Sequence, residues 1–187
     1  MQHIQSVMHE NLMIAIDGHQ KLSQKGMGDA KLLVKEIIAL KYQMETVAAQ
    51  KGYSQACKAS IPTCRRECCK WHFPRNLTHV DFFVAIIFMP EEQQAALAKL
   101  IYSNKRNQCP VLLKTGCFLS FEQRPVLCTN AYPCFNDRSY WIEKEKKNIQ
   151  FKKAIDALDV TVQFKKVFEF TKYPNHKTGL ENRQLNP

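Results

Sequence analysis

Residues 64–73 read CRRECCKWHF, a stretch that places three cysteines within six positions, two of them adjacent. Adjacent cysteines do not pair easily with each other, because a disulfide favours a wider separation of the two Cα atoms than one peptide unit provides. The chain carries eight cysteines, four before and four after a central apolar segment: Cys57, Cys64, Cys68, Cys69, Cys109, Cys117, Cys128 and Cys134. This arrangement predicts two cysteine-rich loops that close over one site from opposite sides.

Metal ligation is the chemistry expected of these cysteines. Thiolates are soft ligands that suit zinc and iron–sulfur clusters. Basic neighbours of the first group, Arg65, Arg66 and Lys70, favour the thiolate form. Four ligands complete one zinc site or one 4Fe–4S cluster, so eight cysteines provide for two centres, or for one with ligands to spare. Buried hydrophobic cysteines and oxidised pairs are the alternatives.

The whole chain has a globular composition with a strong positive charge. Its 187 residues suit one domain, and its formal net charge is +10. That charge indicates an anionic partner or only a soluble surface, and eight thiolates would cancel most of it. The longest apolar run, 82–89, is too short to cross a bilayer, and no secretory signal is visible. We therefore expect a cytoplasmic protein, in a compartment where clustered cysteines favour metal ligation over disulfides.

The predicted fold is mainly α, a helical scaffold with two cysteine-rich irregular loops closing over a metal site. Residues 1–50 show two apolar stripes of helical spacing, with Gly26 and Gly28 between them, and predict an N-terminal helical hairpin. Residues 51–137 form the cysteine-cluster core. Residues 138–187 form a basic C-terminal helical segment and tail, and the three parts are expected to make one compact domain.

Two central helices are predicted between the cysteine groups. Thr78 and Asp81 match the capping-box pattern, so 79–88 is expected to be a buried helix. Pro90, followed by two glutamates, opens another helix that runs to about Asn104.

The flanking segments show weaker patterns. Residues 51–77 and 105–137 read as irregular, and Ser139 is expected to cap a charged helix that runs to Leu158. Residues 160–170 fit either a strand or a helix face, and no regular structure is expected from Pro174 onward.

The segments ACKASIPTCRRECCKW (56–71) and CPVLLKTGCFLSFEQRPVLC (109–128) together resemble the YkgJ-type cysteine-cluster family, described as a zinc- or iron-chelating domain. The shared elements are a closing cysteine pair and three later motifs: Cys68-Cys69, Cys109–Leu112, Gly116–Leu119 and Arg124–Cys128. The likeness covers about 56–134, under half of the chain, and implies metal chelation by the cysteines of the matched motifs. The spacing of Cys57 and Cys64 departs from the family pattern, as does the lack of a glycine before the cysteine pair.

Cys68–Trp71 is also similar to flagellin lysine N-methylases, which belong to the same broader group. That likeness implies a metal-dependent protein-modifying enzyme using S-adenosylmethionine, although the sequence lacks a glycine-rich methyltransferase loop. It also lacks a Walker loop, a dinucleotide glycine motif and a nucleophile–base pair, so catalysis is left open. The leading hypothesis is a metal-binding cysteine-cluster protein with a redox or sensing use. The second hypothesis is the protein-modifying enzyme, and the third is a zinc-stapled interaction module with a basic surface.

Side chains near the cysteines and on the C-terminal segment have two readings each. His72 and His79 would complete a mixed site or simply pack, and Trp71 and Phe73 would shield a cluster from water. Residues 138–177 carry ten Lys or Arg and five Asp or Glu, which suits phosphate binding or a solvated helix face. No nucleic-acid module is present. A protein partner stays open, and neither nucleic acid nor a membrane is expected as a partner.

Overall fold

The computed structural model describes residues 4–60, 68–104, 108–129 and 137–164, and these residues are mainly helical. The helices are α1 (Ile4–Lys21), α2 (Gln24–Gln50), α3 (Tyr53–Ser60), α4 (His79–Ile86), α5 (Glu91–Ser103), α6 (Val126–Thr129) and α7 (Arg138–Val162). A π-helical turn (Cys68–His72) and a 3-10 turn (Pro74–Asn76) precede α4, and two short strands, β1 (Leu112–Leu113) and β2 (Gly116–Cys117), precede α6. None of the helices in these ranges is long and apolar enough to cross a membrane.

Helix α4 lies at the centre of one half of the core. Its sequence, HVDFFVAI, is apolar on nearly every side, and Phe82, Phe83 and Ile86 are almost completely buried. A helix of this kind needs neighbours around its whole circumference. Helix α1 packs against α4 and α5 through its apolar stripe, and Asn11 donates to the Leu77 carbonyl at 3.0 Å just before α4 begins.

Helices α2 and α7 form the other half. The ammonium of Lys51, just after α2, lies 2.8 Å from the Asp137 carboxylate, just before α7. Gln43 accepts from the Lys147 ammonium at 2.5 Å nearer the middle of both helices. The two helices therefore run antiparallel, and their pairing is the most extensive between any two described elements.

The two N-terminal helices are confirmed, but the turn between them is not where the glycines predict it. Ser23 is the N-cap of α2 and accepts from the Gly26 amide at 3.1 Å. Because this cap starts the helix early, Gly26 and Gly28 lie inside α2. The two helices also contact different main partners, α1 packing on α4 and α2 on α7.

The capping box before α4 is confirmed. The Thr78 hydroxyl accepts from the Asp81 amide at 3.4 Å, and the Asp81 carboxylate accepts from the Thr78 amide at 2.9 Å. The helix predicted after Pro90 is confirmed as α5, which ends one residue before Asn104.

The segments predicted as irregular contain more regular structure than expected. Helix α3 forms within 51–77, after Gly52 turns the chain with a φ of +74°. The segment 105–137 contains the β1–β2 hairpin and α6. Short elements like these carry little periodic signal in the sequence, because tertiary contacts and not local pattern stabilise them.

The C-terminal helix is longer than predicted at both ends. Its cap is Asp137, whose carboxylate accepts from the amides of Ser139 and Tyr140, so Ser139 lies within the first turn. The helix runs to Val162 and therefore includes the start of the ambiguous 160–170 segment. Residues 165–170 and the tail from Pro174 lie outside the described residues, and the three-part division of the chain stays a prediction.

Candidate metal centre

Six of the eight predicted ligands lie in described residues, and they are carried by different elements. Cys57 is on α3, Cys68 and Cys69 are on the π-helical turn, Cys109 precedes β1, Cys117 is on β2 and Cys128 is on α6. Cys69, Cys109, Cys117 and Cys128 are free thiols. Cys64 and Cys134 lie outside the described residues.

A backbone hydrogen bond joins the two cysteine segments. The amide of Cys109 donates to the carbonyl of Lys70 at 3.0 Å, immediately after the Cys68-Cys69 pair. The π-helical turn that carries this pair is closed by the Phe73 amide, which donates to the Cys68 carbonyl at 2.9 Å. The structure therefore brings the start of the second segment against the end of the first.

The hairpin holds two cysteines near one another. Strand β1 pairs antiparallel with β2, and Leu112 lies opposite Cys117. The Leu112 amide also donates to the Cys109 carbonyl at 3.2 Å, which folds Cys109 onto the base of the hairpin. Gly116 has a φ of +124°, a conformation that side chains disfavour, so the glycine before Cys117 shapes this turn.

A buried lysine fastens the turn that follows the hairpin. Lys41, on α2, is fully buried, and its ammonium donates to the carbonyls of Glu122 at 2.7 Å and Arg124 at 2.6 Å. The Tyr42 hydroxyl donates to the Glu122 carboxylate at 2.9 Å. The Arg124 guanidinium donates to the Leu119 carbonyl at 3.0 Å, which is a structural role within the same turn. This turn separates Cys117 from Cys128, so α2 fixes the route of the chain between two candidate ligands.

The thiols from both segments interact electrostatically. Desolvation raises the pKa of Cys69, and the neighbouring Cys68, Cys117 and Cys57 raise it further. Burial raises the pKa of Cys109 to about 12, with contributions from Cys117 and Cys69.

Cys128 is partly buried. Burial raises its pKa well above 9.0, and Cys109, Asp81, Cys69 and Cys117 act in the same direction. Without a bound metal ion, the raised pKa values of Cys69, Cys109 and Cys128 favour their neutral thiol forms. A bound cation would reverse this preference and release protons on binding.

The donor chemistry suits a soft metal, but the described residues do not form a finished ligand shell. Within 4–60, 68–104, 108–129 and 137–164, no group of three or more Cys, His, Asp or Glu side chains is placed to hold a metal ion. The predicted closure of both loops over a metal is thus not shown. The described thiols approach one another without reaching coordination geometry.

Of the two histidines considered as additional ligands, the structure describes the side-chain surroundings of His79 only. The side chain of His72 lies outside the described residues, as does that of Trp71. The His79 ring lies between α4 and the end of α7, 3.5 Å from the Asp159 carboxylate and 4.7 Å between ring centroids from Phe164. This supports the packing interpretation of His79.

Several basic side chains of α7 have local partners. The Lys144 ammonium lies 4.3 Å from the centroid of the Trp141 ring, and that of Lys146 lies 2.8 Å from the Glu143 carboxylate. These contacts are the kind expected of a solvated helix face.

Lys41 is the residue of this region that the sequence reasoning did not single out. Its signal was its position within the apolar stripe of α2, next to Leu40 and one helical turn from Ile37. A lysine in such a stripe is buried only where acceptors are present for the hydrogen bonds of its ammonium. The acceptors of Lys41 come from a distant part of the chain.

Fold and site together define a mainly helical protein in which a backbone hydrogen bond joins two cysteine-containing segments. No family model matches the chain, and neither a curated protein nor a solved structure matches it.

Proposed function

We propose that this chain is a metal-binding cysteine-cluster protein that holds zinc or an iron–sulfur cluster with thiolates from both segments and serves in redox chemistry or sensing. The observation that carries the proposal is the hydrogen bond from the Cys109 amide to the Lys70 carbonyl. This bond joins the backbone next to the Cys68-Cys69 pair to the backbone of Cys109, on the other side of α4 and α5, which supports one site with ligands from both segments.

The effects of the thiols on one another's pKa values also support ligands drawn from both segments. Cys69, Cys109, Cys117 and Cys128 each lie within electrostatic reach of at least one thiol from the other segment. We propose these four as the central ligands, with Cys57, Cys64, Cys68 and Cys134 as further candidates. The resemblance to the YkgJ-type family supports metal chelation, and a reducing cytoplasmic setting would keep the thiols available.

An all-sulfur donor set selects zinc or an iron–sulfur cluster over hard cations. Because no described group of side chains is already arranged for coordination, we propose that binding draws the thiols together. Metal binding and local ordering are then one event, with metal affinity falling at low pH as the ligands protonate.

The test is to purify the full chain without oxygen and to measure its visible spectrum together with its iron, sulfide and zinc content. A brown protein with about four iron and four sulfide per chain indicates one 4Fe–4S cluster, and about eight of each indicates two. A colourless protein with stoichiometric zinc supports a chelating or structural centre. A reduced protein that contains none of these and binds neither metal on reconstitution would overturn the proposal.

A further inference from the structure

The surroundings of Lys41 are unusual for a lysine. Its side chain is fully buried, and two carbonyl oxygens of the turn between Cys117 and Cys128 accept from its ammonium. The ring centroid of Phe121, in the same turn, lies 5.5 Å from the ammonium nitrogen. Removing a charged ammonium from water costs free energy. A lysine is therefore buried in a protein core only where hydrogen bonds and nearby charges offset that cost.

The groups that face Lys41 come from three directions. Cys128 and Glu122 favour its charged form, as does the partly buried Asp81 of α4, whereas the nearby Arg124 opposes it. Desolvation lowers the pKa of Lys41 to about 8, so the side chain remains mainly a cation at pH 7. A neutral donor would satisfy the carbonyls of Glu122 and Arg124. The charged ammonium of Lys41 also interacts electrostatically with Cys128.

We propose that Lys41 is a positioning residue of the metal centre, which fastens the turn between Cys117 and Cys128 and keeps a positive charge against that turn. This inference rests on the proposed metal-binding function. A site of several thiolates and one divalent cation is anionic overall, and a buried ammonium offsets part of that charge.

Two substitutions and one control distinguish the charge of Lys41 from the hydrogen bonds that hold the turn. Lys41→Met keeps the apolar stem and removes the charge and both hydrogen bonds. Tyr42→Phe removes the hydrogen bond from the next residue to the same turn and leaves the ammonium in place. Lys35→Met is the matched control, because it removes an exposed lysine from the same helix.

The measurement is the affinity of each reduced, metal-free full-length variant for Zn²⁺, by competition with a chromophoric chelator. Amide exchange of 119–125 is followed in the metal-free form as a second readout. We expect Lys41→Met to weaken Zn²⁺ binding about 10- to 100-fold, the usual range for a residue that supports metal ligands. The same variant should speed amide exchange in the turn. Tyr42→Phe should cause a smaller loss of affinity, and Lys35→Met should change neither readout.

Unchanged Zn²⁺ affinity in a folded Lys41→Met variant would overturn the inference, even if amide exchange were faster, because the lysine would then have only a structural role. If Lys41→Met does not fold, Lys41→Gln decides the question in the same assay, since it keeps a donor and lacks the charge. Failure of the unsubstituted protein to bind either Zn²⁺ or iron on reconstitution would instead overturn the proposed function, and this inference with it.

Discussion

The Cys109 amide donates to the Lys70 carbonyl at 3.0 Å, although α4 and α5 separate these residues along the chain. The bond lies beside the Cys68-Cys69 pair and at the base of the hairpin that carries Cys117. Helices α4 and α5 therefore bring the start of the second cysteine segment back against the end of the first.

Removal of a central ligand should abolish tight metal binding. Residues that only support a ligand are worth about 10- to 100-fold in metal affinity, so loss of a coordinating sulfur should cost more than about 100-fold. We expect this for Cys109→Ser and for Cys128→Ser, measured by chelator competition on reduced protein. Cys57→Ser should have a smaller effect, because Cys57 departs from the family spacing. Wild-type affinity in both Cys109→Ser and Cys128→Ser would contradict the assignment.

Two glycines in helices should respond in opposite directions to replacement by alanine. Gly28 has nothing within 4 Å of an added Cβ, so Gly28→Ala should raise the free energy of unfolding by about 0.5–1 kcal/mol through helix propensity. An added Cβ at Gly18 would lie 2.8 Å from Phe164 Cε1 and 3.0 Å from Val162 Cγ1. Gly18→Ala should therefore lower the free energy of unfolding by about 1–3 kcal/mol, as overpacking does.

Urea denaturation of both variants gives the comparison. Equal stabilisation by Gly18→Ala and Gly28→Ala would show that the end of α7 does not pack on α1 as the structure has it.

The capping box of α4 should be worth about 1 kcal/mol of stability. Thr78→Ala removes the hydroxyl that accepts from the Asp81 amide, and loss of such a cap costs about 0.5–2 kcal/mol. Thr78→Ser keeps the hydroxyl and serves as the control. Equilibrium unfolding should rank the serine variant close to wild type, and an alanine variant of equal stability would exclude the cap as a determinant of the fold.

Asp137 should support the fold at neutral pH and lose that effect in acid. Hydrogen bonds from Lys51, Tyr53 and Ser139 hold the pKa of its carboxyl well below the ordinary 3.8. A group whose pKa is depressed by folding contributes its full stability above the unfolded-state pKa, and the contribution declines as pH falls below it.

The advantage of wild type over Asp137→Asn in unfolding free energy should thus be constant from pH 7 to about pH 5 and shrink below about pH 4. Denaturation series at pH 7 and pH 3 measure it. An advantage that is equal or larger at pH 3 would refute the role of the ionised carboxylate.

Local signals predicted much of the fold. The Thr78–Asp81 box and the proline before Glu91 specify helix starts within a few residues, so α4 and α5 could be found from the sequence. The turn after α1 could not be placed from Gly26 and Gly28, because the Ser23 cap outweighs the modest helix penalty of glycine.

The site was less accessible to sequence reasoning. Cysteine spacing identified the candidate ligands but not which of them meet, since that depends on contacts between segments far apart in the chain. The burial of Lys41 is a similar case, because its acceptors lie in the turn at 122–124. Such contacts leave no periodic mark in the sequence around either partner.

Metal ligation by cysteine sulfur is tested most directly by X-ray absorption spectroscopy at the zinc and iron edges of the full chain, purified without oxygen. We predict a bound metal whose first coordination shell consists of sulfur, at about 2.3 Å for zinc. A shell of only nitrogen and oxygen atoms would contradict metal binding by the cysteine cluster, and so would the lack of any bound metal after reconstitution of the reduced protein.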